Sequence, residues 1–380
     1  MRLDLERGPR GEVILPTRMA TAPVKSGATP LNILDLTPAA AKNRLVTWVS
    51  AQGLPKYRVD QIFPRLWQRP IASWAEASDL PKELRDRLEK DHPLPRLVLD
   101  TQQTSQDGTK KYLWRLPDGE AIESVLIPSG TRRTLCISSQ CGCALGCTFC
   151  ATGTMGFRRN LTSFEISGQV REIVLRNEAD KPTNVVFMGM GEPLLNWRAV
   201  DTTLTTLNSP DGLGIGARHI TVSTVGIIPG MEELARRPEQ FRLAISLHAP
   251  TAERRKAIMP VEKKYPLEEV LKVAETFEKR ITFEYVLIEG KNDTDADADA
   301  LVKLARKMHA HVNILPLHPG GAPTLTPTPP ARIRAFADRL TNQGVEATVR
   351  RSRGLDIAAA CGQLKVEVEA KRRKDQLPVV

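Results

Sequence analysis

The chain has 380 residues, 41% of them hydrophobic and 26% charged, and a formal net charge of +10. No run approaches the roughly 20 apolar residues that cross a membrane, and the opening MRLDLERGPRG lacks the apolar core of a secretory signal, so membrane and secreted classes are set aside and a cytoplasmic location is expected. The basic surplus favours a polyanionic partner, and six cysteines without a signal point to metal or redox chemistry in a reducing compartment rather than to a disulfide scaffold.

Residues 1–32 are rich in Pro, Gly, Thr and Arg without a sustained period, and are expected to be extended or disordered. Thr37-Pro38, a capping residue before a proline suited to the first helical turn, predicts a helix to about Ala51, broken by Gly53-Leu54-Pro55. Short helices are predicted over Tyr57–Trp67 and Leu80–Leu88, making residues 33–92 a small helical accessory domain. Its Arg58, Arg65, Arg69, Lys82, Arg85 and Arg87, beside Tyr57, Trp67 and Trp74, suit RNA binding, and the same aromatics suit a core equally well. Within a linker at 93–128 the apolar period becomes two. Strands are predicted at 97–105, 109–116 and 120–127 around Asp107-Gly108 and Asp118-Gly119, a short antiparallel sheet with Glu123 on its last strand.

Residues 129–364 alternate strand-like and helical stretches. The strands are predicted at 134–138, 184–188, 218–224, 241–247, 281–288 and 311–317, and the helices near 163–177, 197–208, 230–236, 266–279 and 295–310. Thr162 with Glu165 reads as a capping box. Such βα units give an α/β fold with a parallel sheet and outer helices, and an open barrel of this kind gathers the strand C-termini, and the loops that carry chemistry, on one face. A Gly/Pro/Thr loop at 318–329, a helix over Pro330–Asn342 and a strand near 346–350 follow, then a charged tail at 365–380.

Five of the six cysteines fall within the first fifteen residues of Cys136–Asn160. Cys143, Cys147 and Cys150 have the spacing C-x3-C-x2-C with no local histidine. Thiolates are soft ligands, and zinc sites favour C-x2-C or C-x4-C pairs and four ligands. Three thiolates on a four-iron cluster leave one iron open for a substrate. This spacing, with Phe149 before the last cysteine, resembles that of radical S-adenosylmethionine (SAM) enzymes.

Further segments resemble the RlmN/Cfr family of radical SAM RNA methyltransferases, and the RlmN type in particular. They are RTLCISSQCGCALGCTFCATG from Arg133, RNLT at 159–162, GMGEPL at 189–194, STVGIIPG at 223–230, LAISLHAP at 243–250 and DIAAACGQL at 356–364, within a resemblance covering about 33–364. It implies a partial (β/α)6 barrel with an N-terminal helical accessory domain. It implies a [4Fe–4S] cluster on Cys143, Cys147 and Cys150, and SAM held by Gly191, Glu192, Ser223, Ser246, Leu247, His248 and Asn313. It implies that Cys361 becomes S-methylcysteine and that Cys136 later resolves it as a disulfide. Glu123 and Cys136 are the candidates for removing the ring proton, with Glu123 preferred; Cys141 is left without a role. The implied activity is methylation of C2 of adenosine 2503 in 23S rRNA and of adenosine 37 in tRNA, by a monomer served by an external electron donor of the flavodoxin or ferredoxin kind. Arg58, Arg158, Arg159, Arg350, Arg351 and Arg353 are candidate RNA contacts. A Cfr-type enzyme acting at C8 of the same rRNA adenosine would share this cysteine set, and an RNA-binding protein with a structural cluster is the reading from a different class.

Overall fold

The computed structural model describes residues 32–277, 281–318 and 324–364. The expectations for residues 1–31, for 319–323 of the Gly/Pro/Thr loop and for the tail 365–380 lie outside the described residues.

Thr37 caps α1 (Pro38–Ala51), which takes proline at its start and buries Ala41, Leu45 and Val49 at four-residue spacing. α2 (Arg58–Ile62), α3 (Pro64–Trp67) and α4 (Lys82–Asp91) follow. Trp67 and Trp74 are core residues, and the Trp74 indole N–H donates to the His92 carbonyl at 2.7 Å. Tyr57 stays exposed with the Arg58 guanidinium over its ring. Two of the three aromatics weighed for RNA contact are therefore spent on packing.

β1 (Val98–Thr104), β2 (Lys110–Arg115) and β3 (Ala121–Ser129) form an antiparallel meander that continues into β4 (Arg132–Cys136). β5 (Gln140–Gly142) and β6 (Phe157–Asn160) pair with each other outside this sheet, with α5 (Ala151–Thr154) between them. From β4 the sheet turns parallel, through β7 (Asn184–Phe187), β8 (Ile220–Thr224), β9 (Arg242–Ser246), β10 (Thr282–Leu287), β11 (His311–Pro316) and β12 (Ala347–Val349). The antiparallel strands are thus the leading part of the barrel sheet, joined to it at the register Val125↔Cys136. The helices are α6 (Ser163–Arg176), α7 (Trp197–Asn208), α8 (Ile228–Ala235), α9 (Ala252–Ile258), α10 (Leu267–Ala274), α11 (Asp295–Lys307) and α12 (Pro330–Asn342). Thr162 and Glu165 form the expected capping box on α6. α10 stops at Ala274, short of the expected end at 279. α9 carries no apolar stripe, since only Arg255 and Ile258 are buried, which is why periodicity gives no sign of it.

Parallel strands covered on both faces usually read as continuous apolar runs. These alternate instead. Leu135, Val185, Val222, Ile245, Phe283 and Ile314 are buried on one face, while Thr134, Cys136, Thr221, Glu284 and Asn313 line a cavity of about 280 Å³ on the other. The polar face is the inside of the barrel.

Residues 350–364 form a strap across this interior. It leaves β12, is gripped by the turn between β1 and β2 (Ser105 Oγ to Asp356 at 2.5 Å, Gly354 N to Asp107 at 3.1 Å), and ends on α5, where Ala151 N donates to the Gly362 carbonyl at 2.7 Å.

Arg171 of α6 ties the barrel to the helices before it. It is 1% exposed and donates to the carbonyls of Leu66 at 2.9 Å and Ile71 at 2.6 Å. Replacing it with methionine leaves two buried carbonyls without donors, at about 1–3 kcal/mol each. Urea unfolding of Arg171→Met is expected to show a loss of about 3 kcal/mol; a loss under about 0.5 kcal/mol, the usual surface value, would contradict this account.

Candidate active site

The loop carrying Cys143, Cys147 and Cys150 hangs from the β5–β6 pair. Gly142 makes this possible, because a Cβ there would lie 1.8 Å from the Gly156 carbonyl oxygen. Thr148 N donates to the Ile258 carbonyl at 3.0 Å and seats the loop on the end of α9. Burial pushes the Cys143 thiol up to about 12 and Cys147 well above its usual value, and Cys143 and Cys150 each oppose ionisation of Cys147. The three thiols are thus electrostatic neighbours. Yet among the described residues no three Cys, His, Asp or Glu side chains are gathered for a single ion. In an iron–sulfur cluster each thiolate binds a different iron, whereas a zinc site favours four ligands on one ion. Three half-buried thiols on one short loop are a donor set of the soft kind that fits such a cluster.

Gly191, φ +95, follows β7 so closely against Gln140 that a Cβ would lie 2.4 Å from the Gln140 Cβ. Gln140 accepts from Glu192 N at 2.8 Å. The Glu192 carboxylate accepts from Leu194 N at 3.1 Å and Val225 N at 3.0 Å, and burial raises its pKa to about 7. An acid raised in this way costs the fold nothing below about 4.5, and its full cost is felt above about 7. For the protein without its cluster, the difference in unfolding free energy between wild type and Glu192→Gln is therefore expected to move in favour of the variant between pH 5 and pH 8, by up to about 3 kcal/mol. A pH-independent difference would rule this out.

Ser223 and Ser246 end β8 and β9 with their hydroxyls 3.5 Å apart. Ser246, Glu284 and Asn313 are cross-strand partners on β9, β10 and β11, and the Asn313 amide donates to the Glu284 carboxylate at 2.8 Å. Leu247 N and His248 N donate to the Glu284 carbonyl at 3.1 and 3.2 Å. His248 has φ 53 and packs edge-on to Phe149, and its Nδ1 accepts from Val286 N at 3.0 Å. Burial lowers its pKa to about 3, so the ring is neutral with its proton on Nε2.

Cys136 and Cys361 line the same cavity as Glu284 and Asn313. The strap brings them together from opposite ends of the barrel sequence. Cys361 is open to the cavity while walled in by protein, and burial raises its thiol to about 11. Cys136 is buried and held well above its usual pKa by burial, then by Cys361. Glu123 lies on β3 two residues from the Val125 that pairs with Cys136 and meets Lys111 Nζ at 3.3 Å; Val125, Ile127 and Ser129 of this strand line the cavity, and Glu123 is not among the lining residues. Cys141 is buried beneath Arg159 and is raised to about 12 by burial.

The arginines differ. Arg350, Arg351 and Arg353 all line the cavity. Arg158 lies 3.4 Å from Glu120, and Arg58 donates to Gln61 at 2.7 Å. Arg159 gives its guanidinium to Asp118 and, in two bonds of 2.7 and 2.8 Å, to Glu165. Its donors organise the cap of α6, and an RNA phosphate would have to displace two carboxylates. Gln140 and Glu284 also belong to the site, and sequence reasoning passed over them. Only Glu284 gave a sign, as a lone acid in the strand run TFEYVL.

The family model described as the radical SAM superfamily matches residues 137–305. A protein of Gemmatimonas aurantiaca, named a probable dual-specificity RNA methyltransferase RlmN, is 55% identical over 90% of this chain and 95% of its own. The chain belongs to the RlmN family. The dual-specificity RNA methyltransferase RlmN of Anaeromyxobacter dehalogenans is 44% identical over 86% of this chain and 90% of its own. The crystal structure of a radical SAM methyltransferase from Sphaerobacter thermophilus superposes with a TM-score of 0.82 at 42% identity, over 88% of this chain and 99% of that one. The fold is the α/β radical SAM type expected, with N-terminal helices, and superfamily membership carries with it the use of SAM and an iron–sulfur centre. The superfamily match takes in Cys143, Cys147 and Cys150, and Cys136 and Cys361 fall outside it. No helix among the described residues is long and apolar enough to cross a membrane.

Proposed function

We propose that this chain methylates C2 of adenosine 2503 in 23S rRNA and C2 of adenosine 37 in tRNA, using SAM both as methyl donor and as radical source. The observation that supports this most is the single cavity lined by Cys136 and Cys361, with the strap that carries Cys361 docked on the three-cysteine loop. A carbon such as adenine C2 is not nucleophilic, so direct attack on the SAM methyl group is closed to it. A cluster on Cys143, Cys147 and Cys150 supplies, when bound, the electron that splits SAM and yields a radical able to take hydrogen from a methyl group.

In this reading Cys361 carries the methyl group as a thioether, dividing one difficult transfer into feasible parts. Glu192 accepts from the SAM amine, and Gly191, Ser223, Ser246, Leu247, His248 and Asn313 hold the rest of the molecule. Glu123 takes the ring proton once the carbon from Cys361 has joined the base. Cys136 then gives up its thiol proton and bonds to the Cys361 sulfur as the bond from that sulfur to the bridging carbon breaks; the carbon takes a proton to become the methyl group, and the adduct's surplus electron would leave through the same centre that supplied the first one. An unpaired loop base is the least costly to extrude into such a cavity. Residues 33–92 act as the accessory RNA-binding domain and 93–128 as its link to the methyltransferase domain at 129–364. Arg58, Arg158, Arg351 and Arg353 meet phosphates, and Arg159 acts by fixing α6. The enzyme works as a cytoplasmic monomer reduced by a flavodoxin or ferredoxin.

Nucleoside analysis of 23S rRNA and of tRNA, after incubation with reconstituted enzyme, SAM and reductant, tests this. 2-Methyladenosine in both is the expected result. 8-Methyladenosine in rRNA would replace the C2 assignment with a Cfr-type one. An intact cluster that yields no 5′-deoxyadenosine would leave only a structural role for it.

A further inference from the structure

The most deeply buried cation beside the cysteine loop has no part in the roles above. Arg255, on α9, is 0% exposed. It donates through one terminal nitrogen to the Glu262 carboxylate and through the other to the Val225 carbonyl, while its Nε has no partner among the described residues. Glu262 is itself fixed, accepting from Leu267 N at 2.9 Å. A buried ion pair of this kind brings little net stability, because desolvation offsets the attraction, so its presence calls for another reason.

Its surroundings supply one. Ile258, one turn along α9 from Arg255, accepts from Thr148 N at 3.0 Å, and Thr148 lies between Cys147 and Cys150. Val225 is held from both sides, its N–H donating to Glu192 at 3.0 Å and its carbonyl accepting from Arg255. The guanidinium thus lies behind both the cysteine loop and the residue proposed for the SAM amine.

We propose that Arg255, oriented by Glu262, is the fixed counter-charge of the cluster, raising the potential at which it accepts its electron. This rests on the assignment of the cluster to Cys143, Cys147 and Cys150. Uptake of one electron from a low-potential flavin or iron–sulfur donor adds one negative charge to the cluster, with no bond made or broken. A permanent cation in a water-poor interior stabilises that added charge more than it would in solvent. Glu262 holds the guanidinium in place and moderates its effect.

The test is an anaerobic redox titration of reconstituted protein, without RNA, followed by electron paramagnetic resonance, with iron and sulfide counted on the same samples. Arg255→Lys keeps the charge and is expected to titrate close to wild type. The double variant Arg255→Met/Glu262→Met removes both charges without orphaning either, and is expected to show a roughly tenfold lower ratio of reduced to oxidised cluster at a fixed poise, about 59 mV for one electron. Glu262→Gln keeps the shape but removes the negative charge, and is expected to shift the ratio severalfold the other way. The double variant titrating as wild type with a full cluster overturns the proposal. If the double variant does not fold, Glu262→Gln decides, and an unchanged or lowered ratio overturns it. Failure of wild type to take up iron strikes instead at the cluster assignment.

Discussion

Cys361→Ala is expected to fold and to hold a cluster, yet to lose RNA methylation by on the order of 10⁴-fold or more, the scale seen when a covalent carrier is removed. The side chain faces a cavity rather than the packed core, so its unfolding free energy is expected to stay within about 0.5 kcal/mol of wild type. Cys136→Ala separates the two thiols. Without a resolving sulfur the adenine stays bonded to Cys361, and a protein–RNA adduct is expected on a denaturing gel, stable to thiol reductants because its link is a thioether. Methylation by Cys361→Ala at even a hundredth of the wild-type rate would sink the methyl-carrier role. Free, fully methylated RNA from Cys136→Ala would sink the resolving role.

Gly191→Ala is expected to be nearly as severe, by another route. At φ +95 a side chain is strained, and its Cβ would lie 2.4 Å from Gln140 Cβ and 2.8 Å from Gln140 N. Backbone strain costs about 1–3 kcal/mol and overpacking about as much again. Relief means moving β5 away from the Gly189–Glu192 turn, and Gln140 holds both Glu192 N and the Asn160 side chain. Thermal unfolding should therefore show a loss of about 2–4 kcal/mol, and calorimetric SAM binding to reconstituted protein a loss of at least tenfold. Parent-like affinity in Gly191→Ala would remove this turn from the SAM site.

Much of this architecture was legible in the chain because burial leaves a periodic mark. The six βα strands show as apolar runs, while the residues that face the inside of the barrel emerge only once the strands are paired. Caps such as Thr162–Glu165 are local and readable. Three kinds of feature were not. α9 and the β5–β6 pair are short and make no stripe. Trp67, Trp74 and Arg159 have side chains whose use depends on what the fold places beside them, which is core around the tryptophans and carboxylates beside Arg159. Arg255 lies in an element whose surroundings are assembled from distant parts of the chain, so no local pattern separates its buried charge from a solvated one.

The strap has a consequence for how the enzyme comes into being. Ser105 and Asp356 are separated by 251 positions, and chains emerge from the ribosome N-terminal first, with domains folding as they appear. The barrel strands and the cysteine loop can be in place long before the last wall arrives. A nascent or truncated chain that stops before Gly354 lacks Cys361, the proposed methyl carrier. On the proposed roles, such a chain is expected to split SAM without passing the radical on to RNA methylation. Loss of the strap by proteolysis is expected to give the same result, 5′-deoxyadenosine production without methylated RNA.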